Sequence, residues 1–186
     1  SFFIYSSTNK VYGELSDVAL LSMPNRYGLA GGGGISEKHN LDFHSPYGVS
    51  KGCADQYVRD YHRIYGLKTV VFRQSCIYGP RQFGNEDQGW VAHFVINALA
   101  GRGITVYGDG KQVRDILEVS DLIAAYRVAA ERVETAAGQI YNIGGGMENT
   151  FSLLELVEFL NREIGTDIPL SFADWRPGDQ KIYVSD

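Results

Sequence analysis

Tyr47 and Lys51 stand four positions apart in "SPYGVSK", residues 45 to 51, directly after a serine and a proline. On a helix, residues at i and i+4 share a face about one turn apart, so an ammonium is brought beside a phenol. A cation roughly 5 Å from a phenol, at an effective dielectric of about 20, favours the phenolate by roughly 3 kcal/mol. That is the chemistry of a proton acceptor working near neutral pH. The same spacing also arises by chance on surface helices, so the pair alone does not define a site. A second segment strengthens it. "FFIYSSTNKVYG" begins as a short apolar run and ends in the hydroxyl residues Ser6, Ser7 and Thr8. Such a run reads as a buried parallel strand, which sets its hydroxyls at the C-terminal sheet edge where ligands of such folds bind. A Thr8 hydroxyl there can hydrogen-bond the same substrate oxygen whose proton Tyr47 removes. Its simpler reading is a strand-end hydroxyl satisfied by neighbouring backbone.

The elements that must position these groups are legible along the chain. Ser45 suits a cap and Pro46 the first helical position, apolar or aromatic residues recur at Val49, Cys53, Tyr57, Tyr61 and Ile64, and Gly66 stops the helix. "LKTVVFRQS" reads as the next buried strand, followed by the loop "CIYGPRQFGNEDQG" and a helix over about 89–100. "ITVYGDGKQVRDILEV" predicts two short strands around an Asp109-Gly110 turn. A helix over about 120–133, the strand "QIYNIGG", a helix capped by Ser152 and Glu155, and a last strand and loop complete the pattern. Strands alternating with helices predict an α/β protein with a mostly parallel sheet. The stretch 13–44 reads as irregular. Its four glycines, 31–34, neither follow a strand nor open onto a helix, so a flexible loop is expected rather than a phosphate cradle. Gly144 to Gly146 read as a tight turn.

The 186 residues, 44% hydrophobic and 21% charged, have the composition of a soluble globular domain. A net charge of -5 argues against a nonspecific grip on nucleic acid, so a phosphate-bearing ligand must be held by a few placed arginines or helix starts. Cys53 and Cys76 fit no metal spacing and are expected as reduced core residues of a cytoplasmic protein. No apolar run reaches membrane-spanning length and no signal peptide is present, so no membrane contact is expected. The chain opens directly on "SFFIYSS" without methionine and closes on "IYVSD", which reads as an internal piece of a longer protein.

"YSSTNKVYG", "SPYGVSK", "FRQSCIYGPRQFG", "VYGDGKQVRDILEVSDL" and "NIGGG" together resemble the extended short-chain dehydrogenase/reductase family of sugar-nucleotide epimerases and dehydratases. The resemblance implies an NAD(P)-binding Rossmann-like doubly wound parallel sheet with a smaller α/β substrate-binding lobe. Residues 1–80 would be the later part of the NAD-binding domain and 81–186 mainly the lobe, with about 115–145 returning to the first domain. It implies NAD as cofactor, Thr8 as the catalytic hydroxyl, Tyr47 as the base and Lys51 as the residue on the nicotinamide ribose. Ser6, Ser7, Gln74 and Ser75 would line the cofactor. Asn9, Lys10, Arg81, Gln88 and Trp90 would face the substrate, and Arg114 and Arg176 would bind its diphosphate, a role suited to planar guanidiniums. Surface salt bridges are the simpler reading of the two arginines, and the core that of Trp90. His44 and His93 are expected to be structural.

Within the family, members that eliminate water carry an Asp-Glu pair after the threonine, to protonate the leaving hydroxyl and take the neighbouring proton. Here those positions are Asn9 and Lys10, which favours epimerisation. "STNKVYG", the glycine-rich insertion running into "LDFHSPYGVSK", and "EDQGWVAHF" resemble members that invert C2 of a CDP-linked deoxysugar. A UDP-sugar 4-epimerase of the same fold and a non-catalytic NAD-binding regulator are the competing readings. The aromatic residues Tyr57, Tyr61 and Tyr65 exceed one core face, and the family resemblance implies a homodimer through this helix. The family's G-x-x-G-x-x-G fingerprint and its ribose-binding acid are not among these residues. Little turnover is therefore expected from the 186 residues by themselves.

Overall fold

The computed structural model describes residues 1–186. In chain order the elements are β1 (Phe2–Thr8), a 3-10 helix (Asn9–Tyr12), β2 (Leu20–Ser22), β3 (Tyr27–Leu29), α1 (Ser45–Tyr65), β4 (Lys68–Gln74), β5 (Cys76–Tyr78) and α2 (Trp90–Leu99). They continue with β6 (Ile104–Tyr107), β7 (Val113–Glu118), α3 (Val119–Glu131), α4 (Val133–Ala136), β8 (Ile140–Ile143), β9 (Thr150–Ser152), α5 (Leu153–Ile164), β10 (Leu170–Ala173) and β11 (Ile182–Tyr183).

The first sheet runs β1-β4-β8, all parallel, with Thr8 opposite Gln74 and Gln74 opposite Ile143 at its C-terminal edge. The Val70 and Val71 run is buried on both faces, as a strand covered by helices on either side requires. On one face Phe72 stacks on Tyr126 of α3 at 5.2 Å and packs with Ala129 and Ala136. On the other face α1 crosses, and Thr69 donates to the Val58 carbonyl at 2.9 Å.

A single residue, Ser75, separates β4 from β5, where the chain leaves the first sheet for a second one ordered β5-β7-β11, with β9 antiparallel to β7. A further pair, β6-β10, lies with α2 and α5 over a core that includes Phe94, Ile104, Val106, Leu156 and Leu160. Helix α5 starts with the expected capping box: Ser152 Oγ accepts from the Glu155 N–H at 3.0 Å, and Glu155 accepts from the Ser152 N–H at 2.8 Å. No helix is long and apolar enough to cross a membrane.

Four expectations need correction. Residues 13–44 are not wholly irregular, because β2 and β3 form an antiparallel pair in register Leu20 to Leu29. Three-residue strands are too short to show an alternation in sequence. The glycine run is anchored at its end, where Ile35 is 5% exposed and bridges to Ser185. The strands β6 and β7 do not pair with each other. Gly108 and Gly110, at φ of 79° and 77°, turn the chain so that β6 joins β10 and β7 joins β5.

The last two corrections concern α1 and the cysteines. The apolar stripe of α1 does not face the core: Tyr57 and Ile64 are 68% and 64% exposed, and Cys53 is also exposed. The buried residues of α1 are Gly48, Gly52 and Asp55. The helix turns its smallest side chains inward because backbone and rings come very close there; a Cβ on Gly52 would lie 2.3 Å from the Phe43 ring. Cys76 is only partly buried, and it lines a cavity rather than the core.

Candidate functional site

Strand β1 presents successive hydroxyls to opposite faces, as the period of a strand demands. Ser6 Oγ lies 2.6 Å from the Tyr126 hydroxyl of α3, and Gln74 Nε2 donates to the same hydroxyl. Ser7, expected beside the cofactor, turns instead towards α1 and donates to Asp55 Oδ2 at 2.7 Å. Its hydroxyl belongs to a buried network in which Arg73 meets Asp55 through Nε at 2.9 Å and Nη2 at 3.0 Å. Arg73 Nη1 also donates to the Tyr12 hydroxyl at 3.0 Å. Burial opposes the charge of Arg73, but the hydrogen bonds and charge of Asp55 outweigh it and hold the guanidinium above its ordinary range.

Thr8 ends β1 and caps the 3-10 helix: Oγ1 accepts from the Lys10 N–H and donates to Asn9 Oδ1, both at 3.3 Å. The simpler reading of this hydroxyl is therefore met, through bonds longer than usual. Helix α1 begins beside the same turn. Pro46 lies in its first turn, and Ser45 Oγ accepts from the Gly48 N–H at 3.2 Å. Gly48 presses on the Lys10 carbonyl, where a Cβ would stand 3.3 Å from the oxygen. Tyr47, 49% exposed, thus opens next to the residues that follow Thr8. Lys51 reaches the same sheet edge, its Nζ donating to the Ser6 carbonyl at 2.9 Å and lying 5.3 Å over the Tyr5 ring. Burial raises the Tyr5 phenol above its ordinary range, and the charges of Asp55 and Tyr47 add to it.

Beyond Lys10 a cavity of about 240 Å³ separates this edge from the second lobe. Asn9, Lys10, Gln88, Trp90, Arg114 and Arg176 all line it, so six of the eight residues expected at the substrate meet there. Of the other two, Thr8 is the turn before it, and Arg81 does not line it. Arg81 is exposed on the loop at a φ of 65°. Lys10 Nζ donates to the Gly178 carbonyl at 3.1 Å and pairs with Asp179 at 3.4 Å. Arg114 is 9% exposed, yet its guanidinium makes one hydrogen bond, to the Val113 carbonyl at 2.8 Å, and no ion pair. Burial lowers Arg114 from its ordinary range, and burial with the nearby Arg114 charge lowers Lys10. Arg176 stacks 3.8 Å over the Tyr107 ring and donates to the Glu86 carbonyl at 3.0 Å.

Trp90 is at the wall and also packs on the core, its ring edge-on to Phe94 at 5.7 Å and its Nε1 3.2 Å from Cys76 Sγ. Burial pushes the Cys76 thiol up, so it stays protonated. Ser75 donates to the Asp115 carbonyl at 2.9 Å and lines an adjoining cavity of about 280 Å³ with Gln82 and Phe83. His93 lines the main cavity, while His44 lies 3.4 Å from Glu14 at the surface.

Sequence reasoning missed Gln112, Asp179, Gln180 and Tyr126. Asp179 and Gln180 lie three and four positions after Arg176 in "WRPGDQ", so the arginine itself was a pointer to them. Gln180 bridges Asn9 and Gly13, with Nε2 donating to their carbonyls at 3.2 and 2.7 Å. Tyr126, in mid-helix, has no such signal.

The chain is similar to known proteins over nearly its whole length. A CDP-paratose 2-epimerase of Salmonella typhi is 46% identical over 98% of this chain and 56% of its own length. A dTDP-glucose 4,6-dehydratase of an Actinoplanes species is 36% identical over 99% of this chain and 51% of its own. Among solved structures, a UDP-glucuronic acid 4-epimerase of Bacillus cereus, in complex with UDP-glucuronic acid and NAD, superposes with a TM-score of 0.82 at 30% identity. It is matched over 100% of this chain and 52% of that one. The chain thus spans about half the length of the relatives it matches. The sequence profile described as "NAD dependent epimerase/dehydratase family" matches residues 2–144, and the chain belongs to that family.

Proposed function

We propose that the whole protein epimerises a nucleotide-linked sugar, with NAD as cofactor, and that the reaction is inversion at C2 of CDP-paratose to give CDP-tyvelose. The observation that carries the reading is Arg114: a buried guanidinium without an ion pair, beside Lys10 and across a cavity from Arg176. A buried cation is costly unless an anion meets it. A diphosphate supplies that charge with the planar oxygen pairs a guanidinium prefers. Asp179 pairs with Lys10 and Asp87 with Arg176, each at 3.4 Å, so the simpler reading holds for Arg176, while Arg114 has no such partner.

Bound NAD would supply a reversible hydride acceptor for the carbinol carbon, and the chain's own residues would bind and orient it and handle the proton. The residues present fit its nicotinamide ribose: Lys51 uses one of its three N–H groups on the Ser6 carbonyl and keeps two for hydroxyl acceptors. Tyr47, aimed from the first turn of α1, takes the proton of the sugar hydroxyl as the hydride leaves and gives it back on return. Lys51, one turn along the helix, shares that face of α1. Thr8, held by two 3.3 Å bonds, exchanges its donation to Asn9 for one to the same sugar oxygen. Asn9 and Lys10 carry no carboxyl group, so these positions lack the Asp-Glu pair of the members that eliminate water; Asn9 is tied to Gln180 at 3.3 Å and Lys10 to Asp179. The 46% identity to the Salmonella typhi relative supports C2 as the carbon inverted.

The division at about residue 80 into a cofactor part and a substrate lobe belongs to this proposal, with β8 returning to the first sheet. So does a cytoplasmic homodimer through the exposed face of α1, where Tyr57, Tyr61 and Tyr65 stand together. The reaction is tested by proton NMR of CDP-paratose after incubation with the whole protein and NAD. Inversion at C2 with C4 intact supports the reading, and a changed C4 centre points to a 4-epimerase instead.

A further inference from the structure

Gln112 lies on β7's approach to the cavity, is only 6% exposed, and lines the same cavity as Arg114. Its Nε2 donates to the Tyr107 carbonyl. Its Oε1 is buried and meets no donor from the protein. The amide cannot be turned over to relieve this, because Oε1 would then face the Tyr107 carbonyl and two acceptors would oppose each other. A buried acceptor without a donor costs as much as a lost hydrogen bond, so its presence at a cavity wall calls for a ligand that brings one.

The diphosphate assigned to Arg114 cannot be that donor, since its oxygens only accept. The reacting sugar is also poorly placed, because it must lie at the Asn9 end, next to Thr8 and Tyr47. Gln112 is bonded to Tyr107, and Tyr107 and Thr105 line the cavity from β6, in the second lobe. A sugar at the Asn9 wall leaves the β6 wall to the nucleoside.

We infer that Gln112 is a specificity-determining residue that accepts a hydrogen bond from a nucleoside N–H or O–H donor of the substrate. This rests on the sugar-nucleotide reading above. The donor is either a ribose hydroxyl or the 4-amino group of cytosine, which uracil replaces by an acceptor. A site with a buried acceptor rejects analogues that lack the donor more strongly than an apolar wall does, because the acceptor is then left unpaired.

The test is calorimetric titration of the whole protein with CDP, 2′-deoxy-CDP, 3′-deoxy-CDP and UDP, repeated with Gln112→Met. The expected result is that at least one analogue binds the wild-type protein about tenfold more weakly than CDP, on the scale of one hydrogen bond. Weakening with a deoxy analogue assigns the ribose, and weakening with UDP assigns the base. In Gln112→Met the same analogue and CDP should bind alike. Equal binding of all four ligands to the wild-type protein overturns the inference without recourse to any variant. Discrimination that persists in a folded Gln112→Met protein overturns it as well. If Arg114→Met weakens CDP in either case, the diphosphate reading stands while this one fails. If CDP does not bind the wild-type protein at all, both fall.

Discussion

Lys10 Nζ and the carbonyl of Gly178 are joined by a hydrogen bond of 3.1 Å, and this contact ties the turn after β1 to the loop that carries Arg176. Gly178 in turn sits against the start of α1, where its Cβ position is 3.5 Å from His44. The start of the Tyr47 helix and the cationic cavity therefore share one corner. On the proposed reading, a sugar nucleotide held by its diphosphate in the cavity would have its sugar delivered to the phenol.

The charge state of Lys10 makes anion binding depend on pH. Burial and the Arg114 charge lower Lys10 from its ordinary range, so it releases its proton at a lower pH when folded than when unfolded. Between those two values the unfolded chain binds more protons, so this group makes stability rise with pH across that alkaline window. Diphosphate binding runs the other way, since it needs the ammonium. Titration of pyrophosphate from about pH 7 to about pH 10 should show affinity falling before an ordinary lysine at about 10.4 would titrate. Lys10→Met should bind more weakly at the low end and remove most of the slope.

The Asp55 and Arg73 pair is a strut, not a catalyst. Both side chains are almost fully buried and are joined by two hydrogen bonds of 2.9 and 3.0 Å. Asp55→Ala leaves a buried guanidinium uncompensated and should destabilise the fold by about 3–5 kcal/mol in denaturant titration. Replacing both residues by apolar ones of similar volume should recover much of that loss.

Close approach of α1 to the rest of the protein depends on Gly52. Gly52→Ala would drive a methyl into the Phe43 ring, at 2.3 Å from its nearest carbon. Overpacking of this kind costs about 1–3 kcal/mol. A melting experiment should show the loss and its relief in the double variant Gly52→Ala, Phe43→Leu. If the double variant melts no higher than the single one, the contact is not what sets the helix position.

Tyr47→Phe in the whole protein should lower kcat by about 10²–10⁴-fold, the usual worth of a placed acid-base group, while CDP binding is unchanged. Lys51→Met should lower kcat and also weaken the cofactor, because its free N–H groups serve both.

The parallel first sheet was legible, and so were six side chains that the structure gathers at one cavity, because each leaves a local mark. The apolar run before Ser6 reads as a strand, and the Ser45-Pro46 start and Gly66 stop bound α1 as the structure does. Which face of α1 is buried was not legible. Periodicity assigned the core to Val49, Tyr57 and Ile64, whereas contact distance gave it to Gly48, Gly52 and Asp55. The direction of Ser7 was not legible for a related reason: three successive hydroxyls look alike in sequence, and only the strand's alternation sends one of them to Asp55. Gln112 carried no signal, since its meaning lies in an acceptor that nothing in the protein meets.

The most direct measurement is the stereochemistry of the product. CDP-paratose incubated with NAD and the whole protein, then read by proton NMR, should show the C2 centre inverted and C4 unchanged, with conversion lost in Tyr47→Phe. A product inverted at C4, one that has lost water, or conversion that survives in Tyr47→Phe would contradict the account.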